Sequence, residues 1–248
     1  MSTPAAPHRV LKKYYEREGD RQPFVTALFD SAAEYYDRSC ALGSFGSGQF
    51  YRRWVLLRSG LGAGMKILDV ATGTGLVARV ATTIVRERGA VIGLDPSAGM
   101  LRHGRQAHSA RLVQGTVEAL PFGDALFDFV SMGYALRHVA DLRVAFTECL
   151  RVLKPGGRLL LLEISPPRSV VGRWVVRAYL EKILPFAVRV ATGSAQVELL
   201  MKYHWDTIAE CVPPDAILEV LRASGFGAVE RRVRGGLLSE YLGAKPAS

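Results

Sequence analysis

Lys66–Val80 reads KILDVATGTGLVARV: a short apolar strand, a glycine turn and the start of a helix. Ile67, Leu68 and Val70 are strand formers at the density expected where a parallel sheet is buried on both faces. Gly73 and Gly75 let the chain turn sharply and bring backbone N–H groups close to a ligand. Ala78 is small enough for the helix to lie tight on the strand. The G-x-G-x-x-A spacing alone also fits nicotinamide enzymes. Asp69, placed four residues before Gly73, separates the two readings. A dinucleotide puts a pyrophosphate at this turn, and a carboxylate beside it repels that charge. S-adenosyl-L-methionine (SAM) carries no phosphate, and its ammonium and sulfonium tolerate a nearby acid. The competing reading of Asp69 is a turn cap and nothing more.

A second strand decides between them. Ala90–Pro96 reads AVIGLDP and ends in Asp95, 95 − 75 = 20 residues after Gly75. At that spacing a strand-end acid takes the two ribose hydroxyls. In combination these stretches resemble the class I SAM-dependent methyltransferases, from about Phe29 to the C-terminus. The resemblance implies an α/β fold: a doubly wound, mostly parallel seven-stranded sheet with an antiparallel C-terminal hairpin, Rossmann-like. N-terminal helices and a helical insertion would cover the site. It implies SAM as cofactor, held by Asp69, Ala71, Gly73, Thr74, Gly75, Asp95, Pro96, Met100, Thr116, Val117 and Ser131. Thr116 stands where an Asp or Asn is expected for the adenine amino group, and a hydroxyl accepts less strongly than a carboxylate.

The chain has 248 residues, enough for one large α/β domain, and 49% of them are hydrophobic. No apolar run reaches the ~18 residues of a membrane span. The start, MSTPAAPHRV, lacks the apolar segment of a signal peptide. Cys40, Cys149 and Cys211 are spaced for neither a zinc site nor a disulfide framework, so no metal and a reducing, cytoplasmic setting are expected. The net charge of +9 is compatible with nucleic acid, an anionic membrane surface or plain solubility. Basic residues are spread along the chain and no RNA-binding motif occurs, which argues against nucleic acid.

Met1–Pro7 reads as a tail and Arg9–Arg17, RVLKKYYER, as a short basic helix. We divide the chain into residues 1–28, tail and helix, and 29–248, the methyltransferase domain. Phe29, Ala33 and Tyr36 recur at helical spacing; after the turn Ser44–Gly48, an amphipathic helix carries Phe50, Tyr51, Trp54 and Leu57. Phe29 and Trp54 read best as core. The series Tyr36-Asp37, Ser44-Phe45-Gly46 and Arg52-Arg53-Trp54 resembles the ubiquinone/menaquinone C-methyltransferase family, as does Gly133-Tyr134-Ala135-Leu136-Arg137-His138-Val139. There the arginine is kept and His138 replaces an asparagine. The run Ala119-Leu120-Pro121-Phe122 resembles a signature of C-methyltransferases, and Arg151–Glu163, RVLKPGGRLLLLE, a turn seen throughout class I enzymes.

Residues 165–210 form the insertion expected to build the substrate chamber. Trp174, Ala178, Leu180 and Ile183 give it a wide apolar helical face, read either as core packing or as a prenyl-tail and membrane surface. The latter option would place the protein at the inner face of the cytoplasmic membrane.

C-methylation of a phenol or quinol needs the ring hydroxyl deprotonated, and histidine suits that task near neutral pH. His138, at the end of the fourth strand, is the first candidate base, and His204 beside Tyr203 is its rival. Arg137 would stabilise the phenolate, or else pair with Asp37 or Glu163. The expected function is SAM-dependent C-methylation of a prenylated quinol, demethylmenaquinol-like or ubiquinone-precursor-like. Alternatives are C-, O- or N-methylation of another small aromatic natural product, or a non-methyl SAM-dependent transfer to a quinone.

Overall fold

Strand β1 (Lys66–Val70) alternates its side chains between two layers. Ile67 packs with Val55, Ala78, Val80 and Phe129, while Leu68 and Val70 pack with Val130, Phe146, Leu161 and Val220 on the other face. All three are completely buried, as a strand covered on both sides requires. The protein is represented by a computed structural model that describes residues 6–107, 110–167 and 169–247.

Around β1 stand β2 (Ala90–Asp95), β3 (Arg111–Gln114), β4 (Phe127–Gly133), β5 (Leu153–Ile164), β6 (Gly227–Arg234) and β7 (Leu238–Ala244). Their order is β3-β2-β1-β4-β5-β7-β6. The first five strands are parallel, and β7 runs antiparallel between β5 and β6. Strand order reverses at β1 and β4, where open α/β sheets bind ligands beyond their carboxyl ends. Helices α1 (Arg21–Gly43) and α2 (Gly48–Arg58) precede the sheet. Helices α3 (Leu76–Val85), α4 (Ala98–Ala107) and α5 (Leu142–Val152) alternate with its strands. Asp141 caps α5 by accepting the N–H groups of Arg143 and Val144.

The insertion holds α6 (Val170–Ala178), a π-helical turn at Tyr179–Ile183, α7 (Leu184–Thr192) and α8 (Ala195–Glu210); α9 (Pro214–Ala223) then leads into the closing hairpin. A third apolar cluster joins α1, α7 and α8 through Val25, Leu28, Val188, Leu200 and Tyr203. It roofs the carboxyl edge of the sheet.

Several expectations are corrected. Arg9–Arg17 is not a helix but a run of turns ending in a 3-10 turn at Glu18–Asp20. Its side chains are committed to other elements. Arg9 pairs with Glu210, Lys13 and Tyr14 bond Asp206, and Tyr14 and Tyr15 pack on Phe24. Residues 1–5 of the expected tail lie outside the described residues, but the Pro7 carbonyl accepts the Val212 N–H at 2.8 Å. Helix α1 runs unbroken across the boundary drawn at 28/29. The turn at Lys154–Gly157 is a bulge inside β5, where the register with β4 shifts. Trp54 is not core: it is 45% exposed, with the Arg58 and Arg234 guanidinium groups over its ring. The apolar face of α6 is likewise open, Trp174 being 70% exposed.

Candidate functional site

The glycine turn is fixed by two acids at adjacent strand ends. Asp69 accepts hydrogen bonds from Thr72 Oγ1 at 2.6 Å and Ser131 Oγ at 2.7 Å. Asp95 accepts the N–H groups of Gly73 at 2.7 Å and Ser97 at 2.8 Å. One carboxylate thus ties the turn after β1 to the end of β2. Its oxygens keep further lone pairs, enough for both hydroxyls of a ribose. Burial pushes both carboxyls up to about 6, against the pull of these donors.

Gly73 and Gly75 take the left-handed backbone that a side chain resists. Ala71 (φ +51) and Tyr134 (φ +62) take it without that licence, directly after β1 and β4. Such strained residues gather at ligand clamps. Here they flank the same cavity.

Of the expected cofactor residues, Asp69, Ala71, Gly73, Asp95, Pro96, Thr116 and Val117 line that cavity. Thr74, Gly75, Met100 and Ser131 do not, and they act from behind it. Thr74 Oγ1 bonds Asp37, Gly75 caps α3 and bonds the Thr72 carbonyl, Met100 is fully buried on α4, and Ser131 holds Asp69.

The far wall holds His138. Its ring meets Phe29 edge-on at 5.4 Å and lies near-parallel to Tyr203 at 5.6 Å and His204 at 5.8 Å. Neither ring nitrogen has a hydrogen-bond partner, although the residue is only 8% exposed. Burial, then the Arg137 charge, holds its pKa well below the usual histidine value. It lines the cavity as an imidazole held in its neutral form, with both ring nitrogens buried. Burial likewise pushes His204 down to about 3.

The other expected catalytic residues do not reach the cavity wall. Arg137 is turned away from it: its guanidinium pairs with Glu163 and donates from Nε to Thr207 at 3.0 Å. The cause is local. Leu136–His138 is a 3-10 turn rather than extended chain, so neighbouring side chains diverge. A buried guanidinium also needs a carboxylate. Tyr203 is wholly buried between His138, Tyr14 and Phe24, and His204 sits behind His138 and Phe29.

The N-terminal helices α1 and α2 wall the site, as the sequence led us to expect, but the residues with which they do so had not been singled out. Gln22, Val25, Thr26, Phe29 and Tyr36 line the cavity, as do Arg52 and Tyr134. The signal was present: residues 22, 25, 26, 29 and 36 share one helical face. Phe29, read as core, packs in the third cluster and walls the cavity as well.

This lining fits SAM. Asp95 could take the ribose hydroxyls, Leu94 and Val117 could give apolar surface to adenine, and Asp69 could set an acid beside the cationic part, all four lining one cavity. A Cβ placed on Gly73 would meet nothing closer than Tyr36 Cε1 at 3.9 Å, so the turn presents bare backbone to the ligand.

Residues 16–245 match the model of the ubiE/COQ5 methyltransferase family. The chain is 33% identical over 237 residues to a ubiquinone/menaquinone biosynthesis C-methyltransferase of Stutzerimonas stutzeri, covering 92% of this chain and 91% of that protein. It is 33% identical over 228 residues to a demethylmenaquinone methyltransferase of Mycobacterium tuberculosis, covering 90% and 92%. A SAM-dependent methyltransferase structure from Aquifex aeolicus superposes with a TM-score of 0.60 at 18% identity, over 80% of this chain and 91% of that one. At that identity the likeness is one of fold.

Proposed function

The chain belongs to the ubiE/COQ5 methyltransferase family, and on that premise we propose that it methylates a ring carbon of a prenylated quinol. It is a SAM-dependent methyltransferase. The relatives named for ubiquinone, menaquinone and demethylmenaquinone support the quinol class. The observation that carries the reading is His138, an unpartnered neutral imidazole set in an aromatic wall opposite Asp69 and Asp95.

Bound SAM supplies an electrophilic methyl group on its sulfonium. The chain's residues do the rest. Phe29 and Tyr134 offer flat apolar surface to an aromatic ring. His138 takes the ring hydroxyl's proton, directly or through a water, and leaves the adjacent ring carbon nucleophilic. Arg137, neutralised by Glu163, keeps the His138 turn in place and disfavours imidazolium before substrate binds. Holding ring and methyl donor in line accounts for much of the remaining acceleration.

We extend the proposal to the membrane. No helix among the described residues is long and apolar enough to span a bilayer. The insertion instead exposes Val170, Val171, Trp174, Phe186 and Val190 beside Arg177, Lys182 and Arg189. Phe45 on the α1–α2 turn stacks on Tyr179 and continues the patch. An apolar face with basic flanks suits the interface of an anionic bilayer, where prenylated substrates reside.

The test is turnover by the purified chain on demethylated quinols, with product mapped by mass spectrometry. A new ring C-methyl group is the expected result. A methyl group on oxygen, or turnover only on unrelated aromatics, removes the quinol reading.

A further inference from the structure

A SAM molecule laid over this sheet leaves one charged group without an evident partner. Asp95 ends β2, Asp69 lies one residue before the end of β1 and Tyr134 follows β4, and these three strands are neighbours. Ribose at Asp95 and adenine at Thr116 and Val117 fix one end of the ligand. The amino-acid end must then run over β1 toward β4, a distance of roughly 10 Å for two strand spacings. Asp69 lies under the cationic part of that path. The carboxylate falls farther on, in a cavity with largely apolar walls, and a desolvated carboxylate needs a cation.

Arg52 is the sole Lys or Arg among the described residues that line this cavity. Its guanidinium lies 5.9 Å from the Tyr134 ring centroid, which is the β4 end of the path. Among the described residues it forms no ion pair, and its buried Nε has no hydrogen-bond partner there. Neighbouring cations are committed: Arg53 to Thr83, Arg58 to Glu240, Arg79 to Asp37 and Arg137 to Glu163. The backbone makes room for Arg52 too. A Cβ on Gly48, the first residue of α2, would come within 2.6 Å of Arg52 Nη1.

We propose that Arg52 binds the carboxylate of the cofactor's amino-acid moiety, so that Arg52 and Asp69 together read its opposite charges. This rests on the cavity being the SAM site. Planar N–H donors from a guanidinium can meet a carboxylate in two parallel bonds, which fixes direction as well as affinity. Such a clamp would hold the methyl donor at a constant position relative to His138.

The assignment is tested by calorimetry with two ligands. S-adenosylhomocysteine carries the amino-acid end, and 5′-methylthioadenosine lacks it. Arg52→Met should weaken S-adenosylhomocysteine by about 10- to 100-fold, the size of a lost charge-assisted contact. Methylthioadenosine affinity should stay the same, which also shows that the variant folds and keeps its ribose and adenine contacts. Arg52→Lys should lose less, since it keeps the charge but not the fork. Gly48→Ala, which displaces the guanidinium, should weaken only S-adenosylhomocysteine. Unchanged S-adenosylhomocysteine affinity in Arg52→Met, or equal loss for both ligands, overturns the assignment. A wild-type chain that binds neither ligand overturns the cofactor site itself, before any variant is made.

Discussion

At the residue scale, two buried acids and one buried histidine make ligand binding and stability depend on pH. Asp69 and Asp95 are pushed up to about 6, so both are ionised at pH 7 and become protonated as pH falls through 6. SAM favours the ionised forms, because a carboxylate accepts ribose hydroxyls and attracts its cations. Its affinity should be flat above about pH 7 and fall below about pH 6. In Asp95→Asn the slope should be shallower and affinity lower by about 2 kcal/mol, the scale of hydrogen bonds to a charged group. Calorimetry from pH 5 to 8 checks this, and a flat profile in the wild type would count against both acids. The histidine acts in the same pH direction, but on stability rather than on affinity. His138 has a folded pKa far below its unfolded value, so the neutral form supports the fold above pH ~6.5 and that support is lost as pH falls. His138→Asn should therefore lose less stability between pH 7 and 5 than the wild type does. If His138 is the base, kcat should also drop by about 10²-fold. A histidine base gives the rate profile an acidic limb near ~6.5 when unperturbed, and a neighbouring guanidinium lowers it. The structure makes burial the larger cause and moves that limb lower still. A variant with wild-type rate would make His138 a bystander. That Asp69 and Asp95 were legible follows from where they sit, near the carboxyl ends of strands whose pattern is strong; His138 was placed at the end of the fourth strand and lies instead in the 3-10 turn beyond it. For Arg137 the sequence left two readings open, phenolate stabiliser or partner of Asp37 or Glu163, and the 3-10 turn directs its side chain to Glu163.

At the element scale, α1 does work that its sequence only half announces. Asp30 and Asp37 are seven residues apart, two helical turns, and so share a face. Asp30 accepts from Ser97 Oγ at 2.6 Å and from the Gly99 N–H at 2.7 Å, which caps α4 from another helix. Asp37 holds Thr74 Oγ1 and pairs with Arg79 on α3. One helix therefore grips both elements that flank the glycine turn, and next to each of those acids it presents an aromatic ring, Phe29 and Tyr36, to the cavity. A negative group at a helix N-terminus is worth about 0.3–1 kcal/mol, and a cap about 1 kcal/mol. Asp30→Ala should lower unfolding stability by about 1 kcal/mol, and because Ser97 also positions Asp95 it should weaken S-adenosylhomocysteine as well. Chemical denaturation and calorimetry check the two halves separately. Lost stability with intact affinity would reduce Asp30 to a packing contact. Periodicity could find α1, because apolar residues recur at its spacing. It could not find the grip, since Asp30 and Asp37 are partners of residues 67 and 37 positions away. The failed helix at Arg9–Arg17 has the same origin, in distant partners on α1 and α8 that outweigh local propensity.

At the scale of the whole molecule, the sheet was the most legible part. Buried parallel strands carry continuous apolar runs, and their turns carry glycine and proline at fixed places. The insertion was legible as helical but not in its orientation, because an apolar face reads the same whether it meets a core or a bilayer. The structure leaves Trp174, Phe186 and Val190 exposed on it, and they adjoin Phe45 across the Tyr179 ring. Exposing so many large side chains together is costly in water unless something covers them. Arg177, Lys182 and Arg189 stand on the same helices, within a chain of net charge +9. Each such cation contributes about 1 kcal/mol toward an anionic surface, within a Debye length. The chain should therefore bind vesicles containing anionic lipid and not neutral ones, with affinity falling as salt rises. Trp174→Asp and Phe186→Asp should abolish co-sedimentation with anionic vesicles while leaving S-adenosylhomocysteine affinity intact, since neither residue lines the cofactor cavity. They should also raise KM for a long-tailed quinol presented in vesicles, and leave KM for a short-tailed soluble quinol unchanged. Equal vesicle binding by wild type and both variants would mean that this face is covered by something other than lipid. Equal KM values for the two quinols in the wild type would sever the patch from substrate capture.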